Sequence, residues 1–243
     1  MKAGIVSAGN CCHRLLQLLL MVVLPTALSA AEVRGTVTLQ HSGLFAGRGD
    51  ADPVIGLALW PAEPGLSARA PAPTVHEQRI DAGHIRPDYL LIRPGESVRL
   101  INLDPVEHQL FALMPGAHSE LDVRLRPGRD AGTHSLRFSE PGTRHLFCRL
   151  HRRSYARIDV VDAPRLRRVS PGERFEFRDL EAGRWRLRVS AIGAETQERE
   201  TAALTAPPPL ELRLPVRAGV QPEHSPVAEV VTVDQLYPAA PVR

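Results

Sequence analysis

Pro–Gly pairs, among them Pro94–Gly95, Pro127–Gly128 and Pro141–Gly142, cut the middle of this chain into short pieces. Proline removes a ladder donor and fixes φ, and glycine supplies the positive φ of tight turns, so each pair marks a reversal. Between reversals the residues alternate: in Ser97–Asn102, Val98 and Leu100 face one way and Arg99 the other. No window of about eleven residues keeps a helical period. Alternation predicts further strands at Val33–Leu39, Val54–Trp60, Ile85–Ile92, Gln109–Leu113, Leu121–Leu125, Thr133–Phe138, Arg144–Cys148 and Ala156–Val160. It predicts more at Arg174–Leu180, Arg184–Ser190, Thr201–Leu204 and Leu210–Leu214. Phe175 and Phe177, with Trp185, Leu187 and Val189 of the next strand, share a buried face in this reading. The expected class is all-β, and 243 residues suffice for one large or two small cores.

Residues 1–31 stand apart from that pattern. Lys2 and Arg14 give a basic start, Leu15–Leu24 is an apolar run, and Ser29–Ala31 offers small residues for cleavage. This is the layout of a secretory signal peptide, which places the mature protein in the periplasm or outside the cell, without a membrane span. The leader carries Lys2, the only lysine, together with one arginine and no acid. What remains has 28 arginines against 27 acids, a net charge of +1, with the signs interspersed, so nucleic acid is not expected as a partner. Cys11 and Cys12 also leave, which makes Cys148 the one mature cysteine.

A lone thiol in an oxidising compartment cannot close an internal disulfide. Cys148 ends one strand, His151 follows at C-x-x-H spacing, and the next strand starts at Ala156. A thiol and an imidazole thus share one tight loop. That pair suits copper, zinc or a thiol nucleophile, and a third group decides among them. His108, at the junction of the loop from Asn102 and the strand from Gln109, can supply it. Alternation turns His145 away from the face that holds Cys148, and His41, His76, His84, His118, His134 and His224 show no ligand spacing. A nucleophilic Cys148 needs an orienting third residue and an oxyanion loop, neither of which can be picked out, so an enzyme is not expected.

The frame Ile85-x-Pro87-x-x-Leu90-x-Ile92, Pro94-Gly95-x-x-Val98, Asn102-x-Asp104-x-x-x-His108, Phe138-x-x-Pro141-Gly142 and Cys148-x-x-His151 resembles the cupredoxins, the β-sandwich family of blue-copper electron carriers. Within them it is most like the bacterial periplasmic plastocyanin-like proteins called methylamine-utilisation proteins. The resemblance implies a Greek-key β-sandwich and one copper ion of the type 1 kind. His108, Cys148 and His151 would be its in-plane ligands, in electron transfer with a redox partner protein. Val33–Trp60 and Pro171–Leu204 resemble the opening and the remainder of a carboxypeptidase-regulatory-like β-sandwich. The implied order is a leader at 1–31, first strands of the small sandwich at 32–61, a Pro/Ala linker at 62–74 and the cupredoxin part at 75–162. The rest of the small sandwich follows at 163–216, then a tail at 217–243.

One departure matters. Where that family carries Pro and Met after the second histidine, this chain has Arg152 and Ser154, and Met114 is the only mature methionine. The axial position is left to Ser154, a backbone oxygen or water, and the alternative is a copper-holding or metal-free sandwich with a binding or structural role. Arg149, Arg152, Arg153 and Arg157 crowd the Cys148–His151 loop, which points to an acidic redox partner.

Overall fold

A computed structural model of the chain describes residues 30–42, 53–66, 68–113, 121–128 and 132–217. The leader up to Ser29, Met114, His118, His224 and the tail from residue 218 lie outside the described residues. These form sixteen strands and no helix. The chain opens with β1 (Ala31–Ser42) and β2 (Ile55–Pro61). Nine strands follow: β3 (Val75–Asp81), β4 (His84–Arg86), β5 (Tyr89–Ile92), β6 (Ser97–Asn102), β7 (His108–Leu113), β8 (Leu121–Leu125), β9 (Thr133–Arg137), β10 (Gly142–Cys148) and β11 (Tyr155–Val160). The last five are β12 (Arg165–Val169), β13 (Arg174–Leu180), β14 (Gly183–Ala191), β15 (Gln197–Ala203) and β16 (Leu210–Arg217).

The nine middle strands make one sandwich, with sheets in the order β4-β3-β6-β9 and β5-β11-β10-β7-β8. Two pairings, β3 with β6 and β5 with β11, are parallel, so the chain crosses between sheets in the manner of a Greek key. Alternate residues of each strand fill the space between, among them Ile80, Val98, Leu100, Leu110, Leu146 and Ile158. Cys148 belongs to the same core, at the end of β10.

The outer strands make the second, smaller sandwich, with sheets β13-β1-β16 and β12-β2-β14-β15. Its second and third strands, β2 and β12, pair directly, Ile55 opposite Val169, although the whole larger sandwich lies between them in sequence. The fold is therefore all-β, a Greek-key sandwich inserted into a small one. Gly35 is required where β1 meets β16, because a Cβ there would fall 2.3 Å from the Leu210 carbonyl oxygen. Phe175, Phe177, Trp185, Leu187 and Val189 do share one core. They reach it from opposite sheets, β13 and β14, and not as neighbours on one face.

Several boundaries differ from the sequence expectation. Ala31, assigned to the leader, starts β1 with its methyl buried in the small core. β16 runs on through Arg217, Ile85–Ile92 divides into β4 and β5, and β15 starts at Gln197. β12 was not anticipated at all.

The two sandwiches meet along β5, β11, β2 and β14. In β2, Ile55, Leu57 and Leu59 face the small core, while Ala58 packs with Tyr89, Leu91, Val161 and Ala163 of the joint. Burying one Leu or Ile side chain in this way is worth about 1.5–3 kcal/mol. A polar cluster sits inside the joint. Tyr89 donates its hydroxyl to Asp159 Oδ2 at 3.0 Å and lies 2.8 Å from Ser190 Oγ. Arg157 holds Asp159 through two parallel bonds of 2.9 Å and reaches the Ala191 carbonyl at 3.0 Å. Thr143 adds a bond of 2.7 Å to Asp159 Oδ1. Burial, and then the Asp159 charge, pushes the Tyr89 phenol far above its ordinary range, so it stays a neutral donor. Gly56 makes room for it, since a Cβ there would stand 2.2 Å from the Tyr89 oxygen.

Candidate metal centre

Two loops at one pole of the larger sandwich carry the three residues. The first runs from Asn102 to His108, and its shape is set by the Asn102 amide. That side chain donates to the carbonyls of Val106, Leu125 and Arg126 at 2.8, 3.2 and 3.1 Å and accepts the Asp104 N–H at 2.9 Å. His108, fully buried, is then the first residue of β7. The second loop leaves β10 at Cys148 and closes on itself. Ser154 N–H donates to the His151 carbonyl at 3.1 Å and Cys148 N–H to the Ser154 carbonyl at 3.3 Å. β10 pairs with β7, Cys148 opposite Leu110, which brings the loops together.

The side chains converge. Cys148 Sγ lies 3.6 Å from His108 Nδ1 and 3.5 Å from His151 Nδ1, and one donor atom from each residue falls within 4.8 Å of the others. The imidazole rings are 4.3 Å apart at 39°. A thiolate about 2.3 Å and an imidazole nitrogen about 2.0–2.1 Å from a common ion stand about 3.5–3.8 Å apart at tetrahedral or trigonal angles. The donor set therefore fits a soft or borderline transition metal. Among the described residues this is the one cluster of three or more His, Cys, Asp or Glu with such spacing.

Asp104 sets the orientation of His108. Its Oδ2 lies 2.8 Å from His108 Nε2, so the ring proton sits on Nε2 and the Nδ1 lone pair faces Cys148. Burial pushes the Asp104 carboxyl up, but the Gly83 N–H, His108 and the Ala82 N–H outweigh it and hold the group below its ordinary range. Burial, with the His151 charge adding to it, holds His108 below its ordinary range despite the Asp104 bond. Both shifts favour a carboxylate and a neutral imidazole, the forms a metal site uses.

Asp104 also completes a thiol–imidazole–carboxylate line, the orienting group a nucleophile would need. Cys148, however, is buried and flanked by a second imidazole on its own loop, which suits coordination better than attack on a substrate carbonyl. The sequence contained Asp104 within the frame leading to His108, but its role appears only when Ala82 and Gly83 arrive beside it. Ser154 was an axial candidate. The residue is buried, and its hydroxyl donates to the Gly83 carbonyl at 2.5 Å.

The arginines divide. Arg149, Arg152 and Arg153 are exposed around the half-buried His151, with the Arg149 guanidinium 4.5 Å from the Phe111 ring centre. Arg157 does not belong with them. It points to the opposite face of β11 and is spent in the joint with the small sandwich. Glu107 pairs with Arg124 at 3.3 Å. His145 faces away from the thiol as expected, 3.0 Å from the Tyr155 hydroxyl, and burial followed by the Arg157 charge holds it below its ordinary range. His76 bonds Glu96 at 3.0 Å, and His41 and His134 are exposed.

No protein-family model and no curated protein matches this chain. Solved structures do match. A purple cupredoxin from Nitrosopumilus maritimus is 22% identical, with 35% of this chain aligned to 99% of that one at a TM-score of 0.31. An amicyanin mutant with Cu(I) is 19% identical, over 40% of this chain and 96% of its own, at 0.31. These neighbours are cupredoxins. A copper-containing nitrite reductase from Thermus scotoductus is also similar, 20% identical over 42% of this chain at a TM-score of 0.33, and this chain spans only 25% of its length. In each case the likeness covers less than half of the present chain.

Proposed function

We propose that this chain is an exported copper-binding protein of cupredoxin-like build that transfers single electrons through a His108–Cys148–His151 site. The observation that carries this is the convergence of one thiol and two imidazoles at coordination spacing on two braced loops. Copper bound there would supply the one-electron chemistry. Cys148 would contribute the thiolate, His108 a ligand locked by Asp104, and His151 the ligand nearest the surface. Leu103, Val106 and Leu150 are exposed on these same two loops, and Arg149, Arg152 and Arg153 add positive charge. An apolar centre with a basic rim suits brief docking of an acidic redox partner.

Adding Cu(II) to the purified mature chain should give intense visible thiolate-to-copper absorption, abolished in Cys148→Ser. A colourless protein that keeps no copper after desalting sinks this reading. Tight zinc uptake with hydrolysis of a model ester would assign the thiol–imidazole–carboxylate line to catalysis instead. A copper-holding role without electron traffic is favoured by Ser154, which stands where the resembling loops carry methionine. That reading predicts the visible band without electron exchange with soluble acceptors.

A further inference from the structure

The β3–β4 hairpin closes through Ala82 and Gly83, whose φ values of 48° and 77° are both positive, as the favoured two-residue turn with φ > 0 at each central position requires. Alanine is an unfavoured residue in that region, so the turn is held by its surroundings and not by local preference. Three polar backbone groups of this turn are taken up by the ligand loops. The Ala82 N–H donates to Asp104 Oδ1 at 2.6 Å and the Gly83 N–H to Asp104 Oδ2 at 2.8 Å. The Gly83 carbonyl accepts the Ser154 hydroxyl at 2.5 Å. Asp104 passes the constraint to His108, while Ser154, through its own N–H and carbonyl, closes the loop of Cys148 and His151. Two loops far apart in sequence thus end on one dipeptide.

We propose that the Ala82–Gly83 turn is the common anchor of the ligand set, and that Ser154 is a positioning residue and not a metal ligand. A serine hydroxyl has one proton, and here it goes to a carbonyl on another hairpin, which fixes the Cys148–His151 loop against the structure that also fixes His108. The anchor does mechanically what a short, unsupported loop of Cys148-x-x-His151 cannot do alone: it keeps Sγ and both Nδ1 atoms at their spacing. This deepens the copper reading and rests on it for the metal-based measurements only.

The test uses the full mature chain as wild type, Ser154→Ala, Ser154→Thr, Asp104→Asn and the Ser154→Ala/Asp104→Asn double variant. Cu(I) affinity is measured by competition with a chromophoric chelator, and exchange of the Ala82 and Gly83 amides is measured in the metal-free chain. Ser154→Ala should weaken Cu(I) binding about 10–100-fold, the usual effect of removing a group that orients a ligand. Ser154→Thr, which keeps the hydroxyl, should restore most of that loss. The double variant should lose less than the product of the two single losses, because both act on one turn. Gly83 amide exchange should rise in Ser154→Ala, although Ser154 does not touch that N–H. A Ser154→Ala variant that shifts the copper band but leaves affinity and amide exchange unchanged would make Ser154 a ligand and overturn the anchor. Losses that simply multiply in the double variant would overturn it too. If the wild type takes up no copper, the copper reading falls, and the anchor stands or falls on whether Gly83 exchange changes in Ser154→Ala.

Discussion

At the pole of the candidate metal centre and at its flank against the small sandwich, the larger sandwich uses similar polar groups to opposite effect. On the flank, Arg157, Asp159, Thr143, Tyr89 and Ser190 are buried or nearly so and exchange short bonds among themselves. Every charge there has a partner of opposite sign, and nothing is left over for a ligand. At the pole, the outer bonds of the cluster are satisfied just as well, His108 Nε2 by Asp104 and Ser154 by Gly83. Its inner atoms are not: Sγ and two Nδ1 atoms meet at 3.5–3.6 Å, where thiol and imidazole make only weak hydrogen bonds. A polar cluster closed on all sides holds a fold together. One closed behind and open within can hold an ion.

The contrast can be broken first at the flank. Asp159→Ala leaves Arg157 buried without its carboxylate, and the cost should be about 3–5 kcal/mol, as for other buried pairs that lose one member. Denaturant unfolding measures it. The thiolate-to-copper band of the folded fraction should be unchanged, and a band that shifts would mean the two clusters are not independent.

Acid should act at the pole, with a smaller effect. His108 and Asp104 both have folded values below their ordinary ones, so each contributes stability that is present at neutral pH and lost as pH falls. In the metal-free chain the loss should begin below the ordinary histidine value of 6.5 and resume below the ordinary aspartate value of 3.8. Denaturant midpoints taken at steps from neutral to acid would show it, and Asp104→Asn should flatten the lower step. Identical profiles for the two proteins would remove Asp104 from the account.

The smallest effect on the fold belongs to the rim. Replacing Arg152 and Arg153 by Ser should change stability by no more than about 0.5 kcal/mol, since both are exposed. It should nevertheless flatten the salt dependence of electron exchange with an acidic acceptor, because such charges act over about 8–10 Å at ordinary ionic strength. Rates that respond to salt alike in wild type and variant would take the rim out of partner choice.

How much of this was legible in the sequence depended on how local each feature is. Alternation exposed the strands whose apolar face meets a core, such as β6 with Val98 and Leu100. It failed at β12, Arg-Leu-Arg-Arg-Val, where exposed arginines dilute the pattern and pairing with β2 makes the strand. The spacing of Cys148 and His151 was readable because both ends of one loop carry donors, and His108 because its frame matched. Arg157 misled, since in sequence it follows closely on the exposed arginines of the Cys148–His151 loop. Its burial is decided by Ala191, 34 positions onward. The hydrogen-bonding roles of Asp104 and Ser154 could not be read either, because each bonds Ala82–Gly83, more than twenty and seventy positions away respectively.

The insertion has a consequence for the order in which the chain can fold. β1 pairs with β13 and β16 and bridges Leu204 through Glu32, all late in the sequence, and Gly35 meets Leu210 across most of the chain's length. A chain that emerges from its N-terminus first carries β1 and β2 as unpaired edges while the whole inserted sandwich is still arriving. The insert can close on its own strands, and in doing so it leaves only residues 62–74 and 161–164 between β2 and β12, turning a long loop closure into a shorter one. Folding of the host thus waits on its guest, and a defect in the inserted sandwich leaves two apolar strands open to pairing with other chains.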